Sequence, residues 1–378
     1  MHGEKDILFG LSSFRLHRIP YQVLMLCPPI PPLWDNVRDP LLPKHPVIRE
    51  IFGSPLHVLV TNRKDRRTAK NVRTHLVESR LPAGAIVDSV LGVQTCSPLF
   101  TLLTLARDLN TIELTMAMYE FCGNFSVFKP SEAIEELLKT PEAAELNRQP
   151  GAWKRVRSSA ATASGKTSSL WMRPPLVSLD ELHSALDEYP HFHGKKKFSE
   201  AANLVTGVTS SPFEVQLSML LALPESMGGK GMPLFTNNAR IALTKEARKM
   251  YPHSFIRADL LFEGSESRPD IDVECQGSII HENEKQTISD SDRSAALASM
   301  NIEVLWITYE KISNASTFQS IAGLIARRID YPLPELTGEA RRRENELRRN
   351  LMIDWSTLGG RPMWPSRLNP WTTLPQAG

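Results

Sequence analysis

The pattern of apolar and polar positions predicts alternating strands and helices in the C-terminal half of the chain. Two apolar segments bounded by polar, Gly or Pro residues, Phe255–Phe262 and Ile271–Gly277, are each typical of a β-strand. A further apolar run, Ile302–Thr308, predicts a closing strand. The segment Ser211–Glu214 places Ser at the cap, Pro at the first helical position and Glu two residues later, which predicts a helix N-terminus.

The N-terminal half follows a related pattern. A Pro-rich stretch between Pro28 and Pro46 cannot form regular helix or a central strand, so we expect an extended connector or wrapping arm there. The segments Leu56–Thr61 and Gly92–Thr95 are predicted to be strands. Ser97 and the proline after it predict the start of a helix that extends to Leu109, and a second helix is expected from Thr111 to Phe121.

Two carboxylates fall within the predicted C-terminal strands. Asp259 lies in an otherwise apolar run, where a charged carboxylate has to be paired or metal-bound to offset its desolvation. Glu274 lies in the next predicted strand, and neighbouring strands would bring the two acids together. Carboxylate pairs are hard oxygen ligands that suit Mg²⁺ or Mn²⁺, which would activate a water and stabilise charge on a phosphate. The pattern therefore predicts metal-dependent phosphodiester hydrolysis.

Each candidate residue also has a purely structural interpretation. Glu214 can form a capping box with Ser211. Every second residue of Asp272–Gln276 would lie on one solvated face if this strand were at the edge of a sheet. His281, beside two glutamates, fits an exposed surface, and Asp292–Arg293 fits an exposed helical ion pair of little energetic value.

The combination of these residues resembles the PD-(D/E)xK restriction-endonuclease-like superfamily, most closely the bacterial endonuclease domains related to very-short-patch-repair enzymes. The family pattern is an Asp, then Glu-x-Asp-Gly, then His, then Asp-Arg on a helix. The matching positions of this sequence are Asp259, Glu274-Cys275-Gln276-Gly277, His281 and Asp292-Arg293.

This resemblance implies a mixed sheet flanked by helices and a Mg²⁺ or Mn²⁺ ion ligated by Asp259 and Glu274. It implies that Gln276 and His281 position a water, handle a proton or contact the phosphate, and that Glu214 assists from its helix. Gln276 stands where the family has Lys or Asp, and an amide can ligate through its oxygen but cannot act as a base. Two functions are therefore open: a DNA endonuclease, or an inactive protein that binds nucleic acid or acts as an antitoxin-type regulator.

Composition and charge restrict the number of domains and the source of any nucleic-acid affinity. The chain has 378 residues, of which 41% are hydrophobic, and is long enough for two to three modest domains. Its formal net charge of +2 is nearly balanced, so nucleic-acid affinity would have to come from local basic patches. The candidate contacts for a DNA backbone are Lys195, Lys196, Lys197 and Arg293.

The chain is expected to be a reduced, cytoplasmic protein without a membrane partner. Its four cysteines have no Cys-x-x-Cys spacing, which is typical of free thiols in the cytosol. The apolar stretch Tyr21–Cys27 is too short to cross a bilayer and lacks the features of a signal peptide. A string that ends in Gly165-Lys-Thr167 lacks the first glycine of a phosphate-binding loop, so we reject an ATPase site.

A weaker resemblance covers roughly Pro55–Phe128. The order of a strand, Arg66-Arg67, His75, a second strand and a Ser-Pro helix paired with another helix is similar to AbiEi-type antitoxin domains of type IV toxin-antitoxin systems. It implies a toxin or another protein as partner. No helix-turn-helix pattern precedes it, and His75 has no catalytic partner in the sequence, so core or surface roles are expected for these residues.

We therefore predict an α/β protein in which an antitoxin-like module is joined to a restriction-endonuclease-like domain. A Ser-, Ala- and Thr-rich stretch at 158–169 is typical of a flexible linker. The predicted segments are a Pro-rich N-terminal arm at 1–50, an AbiEi-like domain at 51–145, a linker at 146–177, an endonuclease-like domain at 178–332, and a charged, Trp- and Pro-rich tail at 333–378.

Overall fold

The protein is described by a computed structural model that covers residues 6–32, 44–53, 55–66, 69–77, 81–156, 168–189, 192–233, 235–276 and 284–360. Within these residues it combines helices with three β-sheets, which confirms the predicted α/β class. The strands are β1 Ile7–Leu8, β2 Leu56–Val60, β3 Val72–Leu76, β4 Ile86–Asp88, β5 Gln94–Cys96, β6 Phe125–Val127, β7 Lys154–Arg155, β8 Leu170–Met172, β9 Thr236–Ala242, β10 Phe255–Phe262, β11 Asp270–Gln276 and β12 Ile302–Thr308.

The helices lie between and after these strands, with short 3-10 or π turns at Ile48–Phe52, Arg63–Asp65, Glu225–Met227 and Trp355–Thr357. They are α1 Gly10–His17, α2 Tyr21–Leu26, α3 Pro98–Leu105, α4 Thr111–Cys122, α5 Glu132–Leu137, α6 Pro141–Leu146, α7 Leu179–Glu188, α8 Lys195–Ala202, α9 Pro212–Ala222, α10 Ala247–Met250, α11 Glu284–Ala298, α12 Tyr309–Ser313, α13 Ala315–Arg328 and α14 Gly338–Leu351.

The first sheet has the strand order β3-β2-β1-β5-β4. Its middle strand, β1, pairs antiparallel with β2 and parallel with β5. The segment predicted to be an N-terminal arm therefore supplies the central strand of a sheet and two helices, because residues as apolar as Leu8 and Phe9 are fully buried. A small third sheet, β6-β8-β7, is antiparallel.

The second sheet carries the predicted acids and has the order β12-β11-β10-β9. It is mixed: β10 pairs antiparallel with both β9 and β11, whereas β11 and β12 are parallel. The strand predictions at Phe255–Phe262 and Ile302–Thr308 are confirmed, and the one at Ile271–Gly277 is observed one residue earlier. Alternate residues of β10 are buried, as the period of two in a strand requires.

Local sequence signals also fix the helix ends. Ser211 caps α9 by accepting a hydrogen bond from the Glu214 amide at 3.2 Å, with Pro212 in the first turn. Ser178 and Glu181 form a complete capping box at α7. Ser97 caps α3, which ends at Leu105 and is shorter than predicted.

One hydrophobic core connects the two halves of the chain. It includes residues of α1, α3, α4, α9, β10, β11, α13 and α14, among them Phe14, Phe121, Phe262 and Leu351. In the segment predicted to be a peripheral tail, Trp355 is only 4% exposed and Glu344 forms a buried ion pair with Lys230 at 2.8 Å. The predicted domain boundaries stay a prediction.

Two further observations concern the predicted state of the cysteines and the predicted lack of a membrane partner. All four cysteines are free, as expected. In the part of the chain that the structure describes, none of the helices has the length and apolar character needed to cross a bilayer.

Candidate active site

The site is built where strands β10 and β11 separate. The two strands pair only from Leu260–Phe262 to Ile271–Val273, whereas β11 pairs with β12 along all seven of its residues. The β10–β11 ladder therefore stops just before the level at which Asp259 would face Glu274. Side chains can enter the space between two strands only where the backbone hydrogen bonds between them are absent, and this is such a place.

Asp259 enters this gap. One of its carboxylate oxygens, Oδ2, accepts a hydrogen bond from the backbone amide of Cys275 at 2.7 Å, in place of a ladder partner on β10. On its other side the register places Asp259 opposite Asn238 of β9, whose φ of 49° is in the left-handed region that non-glycine residues rarely adopt. Asp259 thus lies at an irregular point in both ladders, where local backbone strain is typical of functional sites.

Asp272 is the most deeply buried acid of this group, with 0% exposure. Neither of its carboxylate oxygens accepts a hydrogen bond from an N–H or hydroxyl group of the described residues, but the carboxyl of Glu274 lies within hydrogen-bonding reach and can donate when it is protonated. The Arg293 guanidinium lies 3.8 Å from Asp272. β11 lies between β12 and β10, so the alternative of a solvated edge strand is wrong. The spacing of two predicted that Asp272 shares a face with Glu274, but Asp272 was not predicted to be a site residue because that face was expected to be solvated.

Glu274 is engaged by an arginine on helix α11. The two terminal nitrogens of Arg293 donate to the two oxygens of Glu274, one of them at 3.2 Å, and Arg293 also donates to the carbonyl of Arg257 at 2.6 Å. Its guanidinium lies 5.9 Å from the centre of the Trp306 ring. The alternative of an exposed Asp292–Arg293 pair is therefore wrong for Arg293, which binds the sheet instead of its neighbour.

Glu214 reaches the same region from the N-terminus of α9 and is 5% exposed. Its carboxylate accepts hydrogen bonds from the Ser210 amide at 2.7 Å, the Ser211 hydroxyl at 2.9 Å and the Asn238 side-chain amide at 3.0 Å. The predicted cap at Ser211 is confirmed, but the backbone amide that donates to the Glu214 carboxylate is that of Ser210 and not that of the cap residue. The structural and the site interpretation of Glu214 both apply, because the same contacts place it beside Asp259.

The pKa values of all four acids are raised. Burial is the main cause for all of them: it raises the pKa of Glu214 to about 8 and that of Asp272 to about 6, and it raises that of Asp259. Asp259 adds to the effect on Glu214. Burial and the neighbouring carboxylates also raise the pKa of Glu274, against the opposing effect of Arg293. One guanidinium does not balance four carboxyls, so the cluster holds protons or another cation at neutral pH.

The other predicted site residues are not brought into this cluster by any contact in the described part of the chain. Gln276 ends β11 half-buried, and its amide has no hydrogen-bond partner there. His281 lies outside the described residues. In the first turn of α8, the ammonium group of Lys197 donates to the carbonyl of Leu109 at 2.8 Å. The Nζ atom of Lys196 lies 3.9 Å from a carboxylate oxygen of Glu200.

The free carboxylate oxygens of Asp259 and Asp272 are of the kind that binds a hard divalent cation. The observation that tests this fit is the pair of Asp272 oxygens, which are buried without an N–H or hydroxyl donor in the described residues. Asp259 has a second oxygen beyond the one that accepts from Cys275. Among the described residues, no set of three or more His, Cys, Asp or Glu side chains stands in an arrangement that could hold a metal ion.

Comparisons of the chain with models of protein families, with curated proteins and with solved structures gave no match.

Proposed function

We propose that this chain is a metal-dependent endonuclease that hydrolyses phosphodiester bonds in DNA and has a restriction-endonuclease-like C-terminal fold. The observation that carries the proposal is the convergence of four acids from α9, β10 and β11: Glu214, Asp272 and Glu274 are buried and Asp259 is half-buried. Asp272 lacks an N–H or hydroxyl donor among the described residues. Buried carboxylates without donors are unfavourable unless a cation or a proton is bound.

The metal would be held by Asp259 and Asp272, while both oxygens of Glu274 stay with Arg293. When bound, such an ion activates a water and stabilises the charge that develops on the phosphate. Within the chain, the Cys275 amide fixes the orientation of Asp259, and Ser210, Ser211 and Asn238 fix that of Glu214. Glu214, with its pKa raised to about 8, can hold a proton near neutral pH and release it to solvent or to a neighbouring oxygen.

A second candidate is a protein of the same fold that binds nucleic acid, or a protein partner such as a toxin, without cleavage. The observation that favours it is the contact of both Glu274 oxygens with Arg293, which occupies the carboxylate that a metal would use. The neutral Gln276 on the same strand adds to this case, since an amide cannot serve as a base.

The two candidates are separated by measuring metal uptake and cleavage on the same variants. Purified protein would be titrated with Mn²⁺ by calorimetry and then incubated with supercoiled plasmid, linear duplex, single-stranded DNA and RNA in Mg²⁺ or Mn²⁺. We expect Asp259→Asn and Asp272→Asn to lose more than about tenfold in both Mn²⁺ affinity and cleavage rate, as when a metal site loses a supporting group.

The matched control is Glu266→Gln, which removes one negative charge from an exposed position in the β10–β11 connection. It should bind Mn²⁺ and cleave like the wild type. Cleavage of no substrate, together with Mn²⁺ binding that is equal in all variants, would reject the enzyme and favour the binding protein.

A further inference from the structure

A second site lies in the N-terminal half, on the first sheet. A cleft of about 700 Å³ is lined by four arginines, Arg63, Arg66, Arg73 and Arg107, with His75 at its base. The arginines come from three places: the 3-10 turn at Arg63–Asp65 and the residue after it, strand β3, and the segment that follows α3. The fold thus assembles positive charge from positions up to 44 residues apart, 107 minus 63.

The charge of the cleft is not balanced by its own lining. The residues that line it, all within the described part of the chain, include no carboxylate. The guanidinium groups of Arg66, Arg73 and Arg107 make no hydrogen bond or ion pair with any residue that the structure describes, and all three side chains are exposed. The partial negative charge at the C-terminal end of α3 would stabilise the positive charge of Arg107, but this effect does not extend to Arg66 or Arg73.

The base of the cleft is rigid and uncharged. His75 and His57 are buried, their rings stack with centroids 5.0 Å apart, and Nε2 of His75 lies 3.0 Å from Nδ1 of His57 in a hydrogen bond. Phe9 stacks on the other side of His75 at 4.9 Å. Burial first, then His57, and then Arg107 and Arg73 lower the pKa of His75 to about 3, and burial lowers that of His57 to about 4, so the pair is neutral at pH 7.

We propose that this cleft binds closely spaced phosphate groups. Arginine is the side chain best suited to phosphate, because its planar guanidinium donates two parallel hydrogen bonds to the oxygens. Four arginines around one open cleft can engage several phosphates at once. Leu76 is the lining residue with an aliphatic side chain, so the cleft offers little surface for stacking a nucleobase, and recognition of the phosphates themselves is favoured.

Two sources of this chemistry, a nucleic-acid backbone and a small polyphosphate, are distinguished by the choice of probe. Binding of tripolyphosphate would be measured by calorimetry, and binding of a fluorescein-labelled 12-nucleotide single-stranded DNA by anisotropy. Both are done with the full chain in EDTA and about 100 mM salt, so that metal-dependent cleavage does not contribute. The test variant is Arg73→Gln/Arg107→Gln.

The matched control is Arg341→Gln/Arg349→Gln, which removes an equal number of positive charges from exposed positions on α14. We expect the cleft variant to weaken binding of at least one probe by about tenfold or more, since each arginine contributes charge-assisted contacts to phosphate, and the control to stay within about twofold of the wild type. Thermal unfolding of each variant checks that the fold is retained.

Loss for the DNA alone assigns the cleft to a nucleic-acid backbone, and loss for tripolyphosphate alone assigns it to a small phosphorylated ligand. An equal loss in the cleft variant and the α14 control, or no binding of either probe by the wild type, would overturn the proposal. Because no metal is present, the result does not depend on whether the acid cluster cleaves DNA.

Discussion

At the scale of single residues, Asp272 is the group whose environment is least explained by the folded chain alone. It is fully buried, its oxygens have no N–H or hydroxyl donor among the described residues, and Arg293, 3.8 Å away, is committed to Glu274. A buried carboxylate in this position favours its protonated form, and burial raises its pKa from 3.8 to about 6. Without metal, the acid therefore opposes folding at neutral pH.

The sign of the resulting pH dependence follows from linkage. Because the folded state holds the Asp272 proton more tightly than the unfolded chain does, this residue lowers the stability of the wild type as the pH rises from about 4 to about 6. We expect Asp272→Asn to remove that loss and to gain roughly 2 kcal/mol relative to the wild type over this range. The measurement is the free energy of unfolding in urea at pH 4, 5 and 7, in EDTA.

Glu266→Gln is the control, since it removes one carboxylate from an exposed position in the β10–β11 connection. A difference between Asp272→Asn and the wild type that stays constant from pH 4 to pH 7 would contradict the raised pKa of Asp272.

The sequence predicted part of this site and could not predict the rest. Asp259 was identifiable because a carboxylate in an apolar strand needs a partner. The partner that it has, the backbone amide of Cys275, depends on where the β10–β11 ladder ends, which no local pattern encodes. The burial of Asp272 depends on β12 covering β11, and the ion pair of Arg293 depends on the docking of α11.

At the scale of secondary-structure elements, the residues at the N-terminus of α9 both cap the helix and position an acid of the candidate site. The hydroxyl of Ser211 accepts from the Glu214 amide and donates to the Glu214 carboxylate. The N-terminus of α7 offers a comparison, since Ser178 makes the same pair of contacts with Glu181 at an exposed position. The acid of the first cap, Glu214, belongs to the acid cluster, whereas the acid of the second cap, Glu181, does not.

Removal of either cap should destabilise the protein by about 1 kcal/mol, the usual effect of losing an N-cap hydroxyl. We expect Ser211→Ala, but not Ser178→Ala, also to raise the pKa of Glu214 further above about 8, because the Ser211 hydroxyl stabilises the ionised form. Urea unfolding measures the first effect, and carboxyl-carbon NMR titration of Glu214 measures the second. An unchanged Glu214 titration in Ser211→Ala would show that the hydroxyl does not stabilise this carboxylate.

Several elements with strong local signals were predicted within one or two residues, although α3 ends at Leu105 and not at Leu109. Elements that depend on distant partners were missed. The strands Phe255–Phe262 and Ile302–Thr308 follow directly from their apolar runs. β1 has two residues, too few for any periodic pattern, and exists because β2 and β5 pair with it on both sides.

At the scale of the whole molecule, a buried polar network joins α1, α4 and the turn after α14. Arg18 donates to Glu120 at 2.8 Å and to the carbonyl of Trp355 at 2.6 Å, and Glu120 also accepts from the hydroxyl of Ser126 at 3.1 Å. Buried charges of this kind are tolerated because they are paired, and removing one partner leaves the other uncompensated. The core is therefore incomplete without residues 338–358.

We expect a protein truncated after Thr337 to lose the cooperative fold, because it lacks Leu347, Leu351 and Trp355 and leaves Lys230 without Glu344. A protein truncated after Gly360 keeps all of the described contacts and is the matched control. The measurement is urea unfolding followed by tryptophan fluorescence and by far-UV circular dichroism. The control should show coincident transitions by both probes, and a folded, cooperative Thr337 truncation would refute a single shared core.

The contact between Arg18 and Trp355 can form only after nearly the whole chain has been synthesised. The two residues are 337 positions apart, so at 5–20 residues per second the ribosome needs roughly 20–70 s to supply the second after the first. For that interval α1 has left the ribosome while part of the surface that will cover it does not yet exist. The nascent chain therefore presents apolar helix faces to the cell for tens of seconds, which makes it a natural client for chaperones that hold unfinished chains.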